Sequence, residues 1–259
     1  LSLHDALPIY VLYHLASMVN PVCYPGYRSH APHSTPVMYI GFVRRYAFKS
    51  QHEKRDKAVV DSLVAAKSPY YLLPLQLNSD AQIRDHSFFK DMPEVIEHVV
   101  DSFARYSPEN SRLIIKNHPL DMGMVNYRRI IAGLERRYGI TGRVDYLETG
   151  NLEALVQHAR GTVTVNSTVG AVALQFGCPT IALSDPIYNL PGLTFQGGLE
   201  KFWQYAEPPD KMLFRCFRST VVWTTQVNGG FYCRRGIELA VQNSVASLTA
   251  DRSPLEELL

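Results

Sequence analysis

Short apolar segments alternate with amphipathic helical patterns through the middle of the chain. The patterns predict strands over residues 70–77, 113–116, 144–147, 162–165 and 180–183, and helices over 93–106, 125–138, 152–159 and 167–176. Strands that alternate with helices of this length are typical of βαβ units and a parallel sheet. Because such crossovers are right-handed, the pattern predicts an α/β, Rossmann-like, doubly wound domain.

The segments on either side of this domain have weaker patterns. Residues 10–68 show no sustained period apart from a helical pattern over 37–48, whereas longer helical patterns cover 211–226 and 231–245, before a tail at 246–259 that we expect to be frayed. We therefore predict a remnant of an N-terminal domain with a linker (10–68), a Rossmann-like domain (69–206), and C-terminal helices and tail (207–259). Residues 1–9 resemble no signal peptide, and we interpret them as an artefact or scar on an N-terminally truncated protein.

Composition excludes several classes of protein. The formal net charge of +2 over 259 residues gives no global electrostatic case for nucleic acid as a partner. Four cysteines lie far apart without a C-x-x-C pair, which disfavours a zinc site and a disulfide scaffold and favours a reducing cytoplasm. No run of eighteen apolar residues is present.

Basic residues crowd together ahead of the predicted domain. They are Arg44, Arg45, Lys49, Lys54, Arg55 and Lys57. The interpretation that we prefer is a solvated linker or helix face, and the alternative is a patch that approaches anionic lipid head groups or an acidic acceptor.

Polar residues follow two of the predicted strands. Lys116, His118 and Pro119 come after one, and Ser167, Thr168 and Gly170 come after the other at the start of a helix. In open parallel sheets ligands bind at the carboxyl ends of strands, and a cation, an imidazole, hydroxyls and helix-start N–H groups together suit a phosphate. The pattern therefore predicts a nucleotide-sugar site, with affinity falling as pH rises if His118 binds as imidazolium. The alternatives are a histidine satisfied within its loop and an ordinary Ser-Thr helix cap.

A third polar cluster follows the first predicted strand. Gln76 and Asp80 lie at its end, and Arg84 and His86 follow closely. A carboxylate facing a sugar can act as nucleophile or base, so Asp80 is the catalytic candidate, while Gln76, Arg84 and His86 are candidates for binding the substrate. The alternative for Asp80, which has equal weight, is a turn or cap residue. The alternative for Arg84 and His86 is a pair of solvated loop residues. Residues 186–195 form either a lid or a plain connection.

Four motifs occur in one order along the chain. They are QLNSD at 76–80, KNHP at 116–119, NSTVGAVAL at 166–174 and PIYNLPGLT at 186–194. With these motifs the chain resembles, over about residues 24–243, the capsule polysaccharide biosynthesis and export family of Gram-negative bacteria, whose KpsS-like members are related to β-Kdo transferases.

The resemblance implies a GT-B-like glycosyltransferase that moves Kdo from CMP-Kdo to a phosphatidylglycerol-type lipid, starting the β-Kdo linker of a capsule. It places His118-Pro119 at cytidine and phosphate, Ser167-Thr168 at phosphate, and Asp80 as the carboxylate of a retaining reaction that needs no metal or other cofactor. It also implies work at the cytoplasmic face of the inner membrane beside the capsule synthesis and export machinery. The alternatives are a UDP-sugar transferase or 2-epimerase of GT-B form, and a non-catalytic export component.

Overall fold

The computed structural model describes residues 12, 16, 23, 26, 34–66, 68–78, 80–231 and 233–259. The predicted scar at 1–9 lies outside the described residues. The chain forms two compact units, one from Val37 to Phe214 and the other from Leu1–Pro36 with Arg215–Leu259. The domain boundaries at 68 and 206 stay a prediction.

A five-stranded parallel sheet forms the centre of the unit from Val37 to Phe214. Its strands are β1 (Tyr70–Pro74), β2 (Arg112–Lys116), β3 (Val144–Leu147), β4 (Gly161–Thr164) and β5 (Thr180–Ala182). The strand order is β3-β2-β1-β4-β5, which is the order of a Rossmann-like doubly wound sheet. The predicted α/β fold class is confirmed, and each predicted strand is present within a few residues of its expected bounds.

Helices cover both faces of this sheet. In chain order they are α1 (Thr35–Ala47), α2 (Lys49–Ala66), α3 (Ala81–Arg84), α4 (Met92–Tyr106), α5 (Tyr127–Tyr138), α6 (Leu152–His158), α7 (Val169–Gln175) and α8 (Leu199–Tyr205). One core joins the sheet to α4, α5 and α8, and a smaller core joins the opposite face to α2, α6 and α7. The basic residues singled out in the sequence therefore lie on α1 and α2.

Alternation along β1 divides its side chains between the two cores. Tyr71 and Leu73 enter the larger core, whereas Tyr70 and Leu72 enter the smaller one. In the larger core Trp203 of α8 meets Tyr71 edge to face, with ring centroids 4.9 Å apart, and its indole N–H donates to the Ser102 hydroxyl at 2.9 Å. The sequence patterns missed α8, because a seven-residue helix is too short to show two apolar turns.

The C-terminal helices are α9 (Lys211–Thr225), α10 (Arg234–Thr249) and α11 (Pro254–Leu258). The prediction of a frayed tail from residue 246 is wrong, because α10 continues to Thr249 and Ser253 begins α11 with a capping box to Glu256. Within the part of the chain that the structure describes, no helix combines the length and apolar character needed to cross a bilayer.

Candidate functional site

A row of polar residues crosses the carboxyl edge of the sheet. The strand registers pair Pro74 with Lys116 and Thr164 with Ala182, and the backbone N–H groups of Leu75 and Ser184 continue the two pairings by donating to the carbonyls of Lys116 and Val165 at 2.8 and 3.1 Å. β2 and β3 extend the sheet on one side of β1, whereas β4 and β5 extend it on the other side. Open α/β sheets bind ligands at such a switch point. Gln76, His118 and Ser167 therefore follow the carboxyl ends of β1, β2 and β4, which are neighbouring strands at one edge of the sheet.

Gln76 and Asn166 join the strands on the two sides of the switch point. The Gln76 amide donates to Asn166 Oδ1 at 3.0 Å, and Asn166 Nδ2 donates to the carbonyls of Gln82 and His86 at 2.8 and 3.2 Å. Gln76 is buried, and its amide N–H is engaged in the hydrogen bond to Asn166. The pair holds the segment around Asp80 and His86 against the end of β4.

Asp80 is the N-cap of α3. Its Oδ1 accepts from the backbone N–H of Gln82 at 3.0 Å, which is the capping alternative weighed from the sequence. Its carboxylate is also close enough to His118 to raise the pKa of that imidazole, against the larger effect of burial. Capping holds the carboxylate in one position and is compatible with a second role in chemistry.

Arg84 and His86 are less directly placed for substrate. Both are exposed, and the Arg84 guanidinium lies 3.8 Å from the carboxylate of its neighbour Asp85. The backbone carbonyl of His86 accepts from Ser184 Oγ at 2.7 Å. The roles that the sequence predicted for these two side chains stay predictions.

His118 is held by its own loop in a defined tautomer. Its backbone N–H donates to Asn117 Oδ1 at 2.8 Å, and its Nδ1 accepts from the backbone N–H of Leu120 at 3.1 Å. An imidazole that accepts at Nδ1 carries its proton on Nε2 when neutral. Partial burial lowers the pKa of His118 below 6.5, although Asp121 opposes this shift. The neutral ring is therefore favoured over the imidazolium that the sequence suggested, and Nε2–H is the donor it offers.

A pH prediction follows from this lowered pKa. On acidification the unfolded chain binds a proton at His118 near pH 6.5, whereas the folded chain binds it only at a lower pH. The contribution of neutral His118 to stability is therefore present above that value and is lost as the pH falls through the folded pKa. We expect the free energy of unfolding to fall more for the wild type than for His118→Gln between about pH 7.5 and about pH 5. Urea denaturation at both pH values measures this, and equal losses would contradict the lowered pKa of His118.

Lys116 and Asn117 connect this site to the neighbouring loop. Lys116 is buried and its Nζ donates to the Asn117 carbonyl at 2.9 Å, while Asn117 Nδ2 donates to Glu148 Oε2 at 2.9 Å. Burial, followed by the charge of Arg45, lowers the pKa of Lys116. Lys116 and Pro119 both line a cavity of about 420 Å³. The lysine thus retains further N–H donors for a ligand in that cavity.

A buried carboxylate on α2 holds the loop that follows β3. Asp56 is 1% exposed, and its Oδ2 accepts from the backbone N–H groups of Glu148 and Thr149 at 2.9 and 2.8 Å and from Thr149 Oγ1 at 3.0 Å. Its Oδ1 accepts from Arg55 at 2.8 Å. The sequence analysis missed Asp56, because a single carboxylate inside a charged helical segment has no distinguishing pattern.

Ser167 and Thr168 lie at the end of β4, as predicted. Thr168 is exposed at the N-cap of α7 and makes no side-chain capping bond, whereas Ser167 Oγ accepts from the Val169 N–H at 3.2 Å. A hydroxyl that accepts in this way can still donate its hydrogen to a ligand. Since α7 has only seven residues, the hydroxyls are the stronger anion-binding groups here.

Gly170 makes room for a tyrosine ring. A side chain at this position would overlap the phenol of Tyr188, which is buried and donates to the Ser167 carbonyl. The loop over residues 186–195 is thus packed against α7 through Tyr188. The ring of Tyr188 therefore occupies the space next to the Gly170 Cα.

We expect Gly170→Ala to destabilise the fold by about 1–3 kcal/mol, because the added methyl group must displace Tyr188. The matched control is Gly133→Ala in α5, where an added Cβ meets nothing within 4 Å and should stabilise the helix by about 0.5–1 kcal/mol. Chemical denaturation measures both changes. A neutral Gly170→Ala would show that the Tyr188 loop yields readily.

The structure thus brings together Gln76, Asp80, His118 and Ser167 at the switch point of the sheet. Sequence reasoning missed Asn166 and Asn117 as organising residues although both lie inside quoted motifs, because their role depends on partners distant in sequence. The arrangement defines an α/β protein with polar donors and one carboxylate at the carboxyl edge of its parallel sheet, which is the edge where open α/β sheets bind ligands.

Comparison with known proteins gives the family. The family described as "Capsule polysaccharide biosynthesis protein" matches residues 7–232, and the chain belongs to this family. It is 37% identical over 210 residues to the capsule polysaccharide export protein KpsS of Escherichia coli, covering 81% of this chain and 54% of that protein. It is 32% identical over 228 residues to the capsule polysaccharide modification protein LipB of Neisseria meningitidis serogroup B, covering 86% and 54%. The chain therefore spans about half the length of these relatives.

Solved structures include the β-Kdo 2,7 transferase of Thermosulfurimonas dismutans KpsC, with a TM-score of 0.43 and 17% identity over 81% of this chain and 66% of that one. Anabaena Alr3699/HepE, in complex with UDP and glucose, has a TM-score of 0.34 and 11% identity over 75% and 48%.

Proposed function

We propose that this chain is the nucleotide-binding half of a GT-B-like glycosyltransferase that moves Kdo from CMP-Kdo to a phosphatidylglycerol-type lipid during capsule biosynthesis. Membership of the capsule family supports the biological setting. The observation that carries the chemical part is the row of Gln76, His118 and Asn166 across the switch point, with Asp80 within electrostatic reach of His118. We place this activity at the cytoplasmic face of the inner membrane, with the capsule synthesis and export machinery as partners.

In this proposal the donor phosphate lies between His118 and Ser167. The neutral imidazole donates from Nε2, the Ser167 and Thr168 hydroxyls donate from the opposite strand end, and Lys116 supplies positive charge from the adjacent cavity. Groups that donate to the phosphate of CMP as it leaves lower the barrier to breaking the glycosidic bond, because negative charge grows on its oxygens. This part of the reaction requires no metal in our proposal.

Asp80 is proposed as the catalytic carboxylate. As the cap of α3 it is held in one position, and a fixed carboxylate beside an oxocarbenium-like anomeric carbon can attack it or stabilise it. A retaining outcome is part of the proposal. Gln76 is then a positioning residue, because its amide is engaged with Asn166, while Arg84 and His86 remain candidates for the carboxylate of the sugar.

Ligand-dependent thermal stability tests the donor site. A ligand that binds only the folded chain raises its melting temperature, so CMP and CMP-Kdo should stabilise this protein and UMP should not. His118→Ala and Ser167→Ala should each reduce the shift, whereas Arg136→Ala on the exposed side of α5 should retain it. Equal stabilisation by UMP would favour a UDP-sugar enzyme. A folded chain that responds to none of these nucleotides would contradict the proposed site and favour an export component.

A further inference from the structure

A second cavity, of about 390 Å³, lies between α1 and the segment that leads into α5. We call it the α1–α5 cavity. Its lining contains three arginines, Arg44, Arg45 and Arg128, and a single carboxylate, that of Glu148. Apart from His52, the formal charge of the lining is therefore +3 − 1 = +2. A concave surface with this excess of positive charge favours an anionic ligand.

Within the described residues, the three arginines have no carboxylate partners. Arg45 donates to the backbone carbonyls of Asp121 and Glu148, and Arg128 donates to the Tyr146 carbonyl at 3.3 Å while its guanidinium lies 4.8 Å from the centre of the Tyr146 ring. Across the same part of the chain, the ion pairs within 4.0 Å include none of these arginines. The charges of Arg45 and Arg128 are therefore held in place by neutral groups.

Among the described residues, the one carboxylate of the lining is already engaged by a neighbouring side chain. The Glu148 carboxylate already accepts from Asn117 at 2.9 Å, which leaves the arginines free to meet a different acceptor.

We infer that the α1–α5 cavity binds a phosphate group, either free or esterified, through Arg44, Arg45 and Arg128. A guanidinium presents two parallel N–H donors that match the spacing of phosphate oxygens, and several of them around one cavity suit an anion with more than one acceptor oxygen. This site is separate from the proposed donor site, because Gln76, His118 and Ser167 do not line it. Arg45 is the link between the two sites, since its charge acts on both Lys116 and His118.

Binding of inorganic phosphate to this chain tests the inference, with chloride at matched ionic strength as the reference. The Arg44 side chain is exposed and makes no hydrogen bond within the described residues, so Arg44→Gln should fold normally and bind phosphate about tenfold more weakly. Arg128→Gln should have a similar effect on affinity. Arg129→Gln is the matched control, because this exposed neighbour on α5 carries the same charge but does not line the cavity.

Two further arms identify the source of the phosphate and the site. Glycerophosphoglycerol, a soluble phosphodiester head group, is titrated in parallel, and loss of its binding in Arg44→Gln would support a lipid head group as the ligand. His118→Ala is measured in parallel, because the proposed donor site also binds a phosphate group. Phosphate binding that disappears in His118→Ala and survives in Arg44→Gln and Arg128→Gln would overturn the inference. If neither inorganic phosphate nor glycerophosphoglycerol binds to the chain, the inference is overturned as well.

Discussion

Asp80→Asn should abolish Kdo transfer while leaving the fold intact. We expect a loss of at least about a thousandfold in rate, equivalent to about 4 kcal/mol of transition-state stabilisation, because an amide can neither attack nor stabilise a positively charged anomeric centre. Asparagine caps helices as well as aspartate does, so the Asp80 cap on the Gln82 N–H is retained. The measurement is the rate of Kdo transfer from CMP-Kdo. The protein used is a polypeptide that contains this sequence and has the full length of the relatives.

The design separates chemistry from capping. Asp80→Ala removes both the carboxylate and the cap, and should cost about 1 kcal/mol in stability in addition to the loss of activity. Asp101→Asn, a surface change of the same charge on α4, should leave the rate unchanged. If Asp80→Asn kept wild-type transfer with an unchanged melting temperature, Asp80 would be a cap alone, which is the alternative that the sequence left at equal weight.

Asp56→Ala should lower the free energy of unfolding by about 3 kcal/mol in total. This loss should exceed those of Gly170→Ala and Asp80→Ala. It leaves the backbone N–H groups of Glu148 and Thr149 without their acceptor, and each orphaned buried donor costs about 1–3 kcal/mol. The ion pair with Arg55 adds little, because the Arg55 side chain is 41% exposed. Urea denaturation at neutral pH measures the change.

The matched control for Asp56 lies on the same helix. The Asp61 side chain is exposed and makes no hydrogen bond within the described residues, so Asp61→Ala should change stability by no more than about 0.5 kcal/mol. Asp56→Asn keeps one oxygen acceptor and should lose less than Asp56→Ala. Equal effects of Asp56→Ala and Asp61→Ala would mean that the loop after β3 does not depend on α2.

The fold was predictable because the central strands are short segments buried on both faces, and they alternate with amphipathic helices. β2 ends at Lys116 and β4 ends at Thr164, close to the ends of the apolar runs in the sequence, and β3 has the predicted bounds. Parallel pairing follows because these strands alternate with helices. Residues 49–66 were not predicted as a helix, since α2 exposes most of its charged length and buries few positions, among them Asp56 and Leu63. Its stability comes from contacts with the β3 loop that no local pattern contains.

The candidate site was predictable in its strand ends and less so in its connections. His118 and Ser167 were found because polar residues at the ends of parallel strands share one edge. The bond between Gln76 and Asn166 depends on residues ninety positions apart. The neutral state of His118 depends on the Leu120 N–H and on burial, and neither can be read from the residues themselves.

The most direct test of the account is a crystal structure of this chain with CMP bound. We predict that the phosphate of CMP lies within hydrogen-bonding distance of His118 Nε2 and of the Ser167 hydroxyl, at the switch point between β1 and β4, with the Asp80 carboxylate facing the same space. A nucleotide phosphate in the α1–α5 cavity, or anywhere away from these strand ends, would contradict the assignment of this crevice as the donor site.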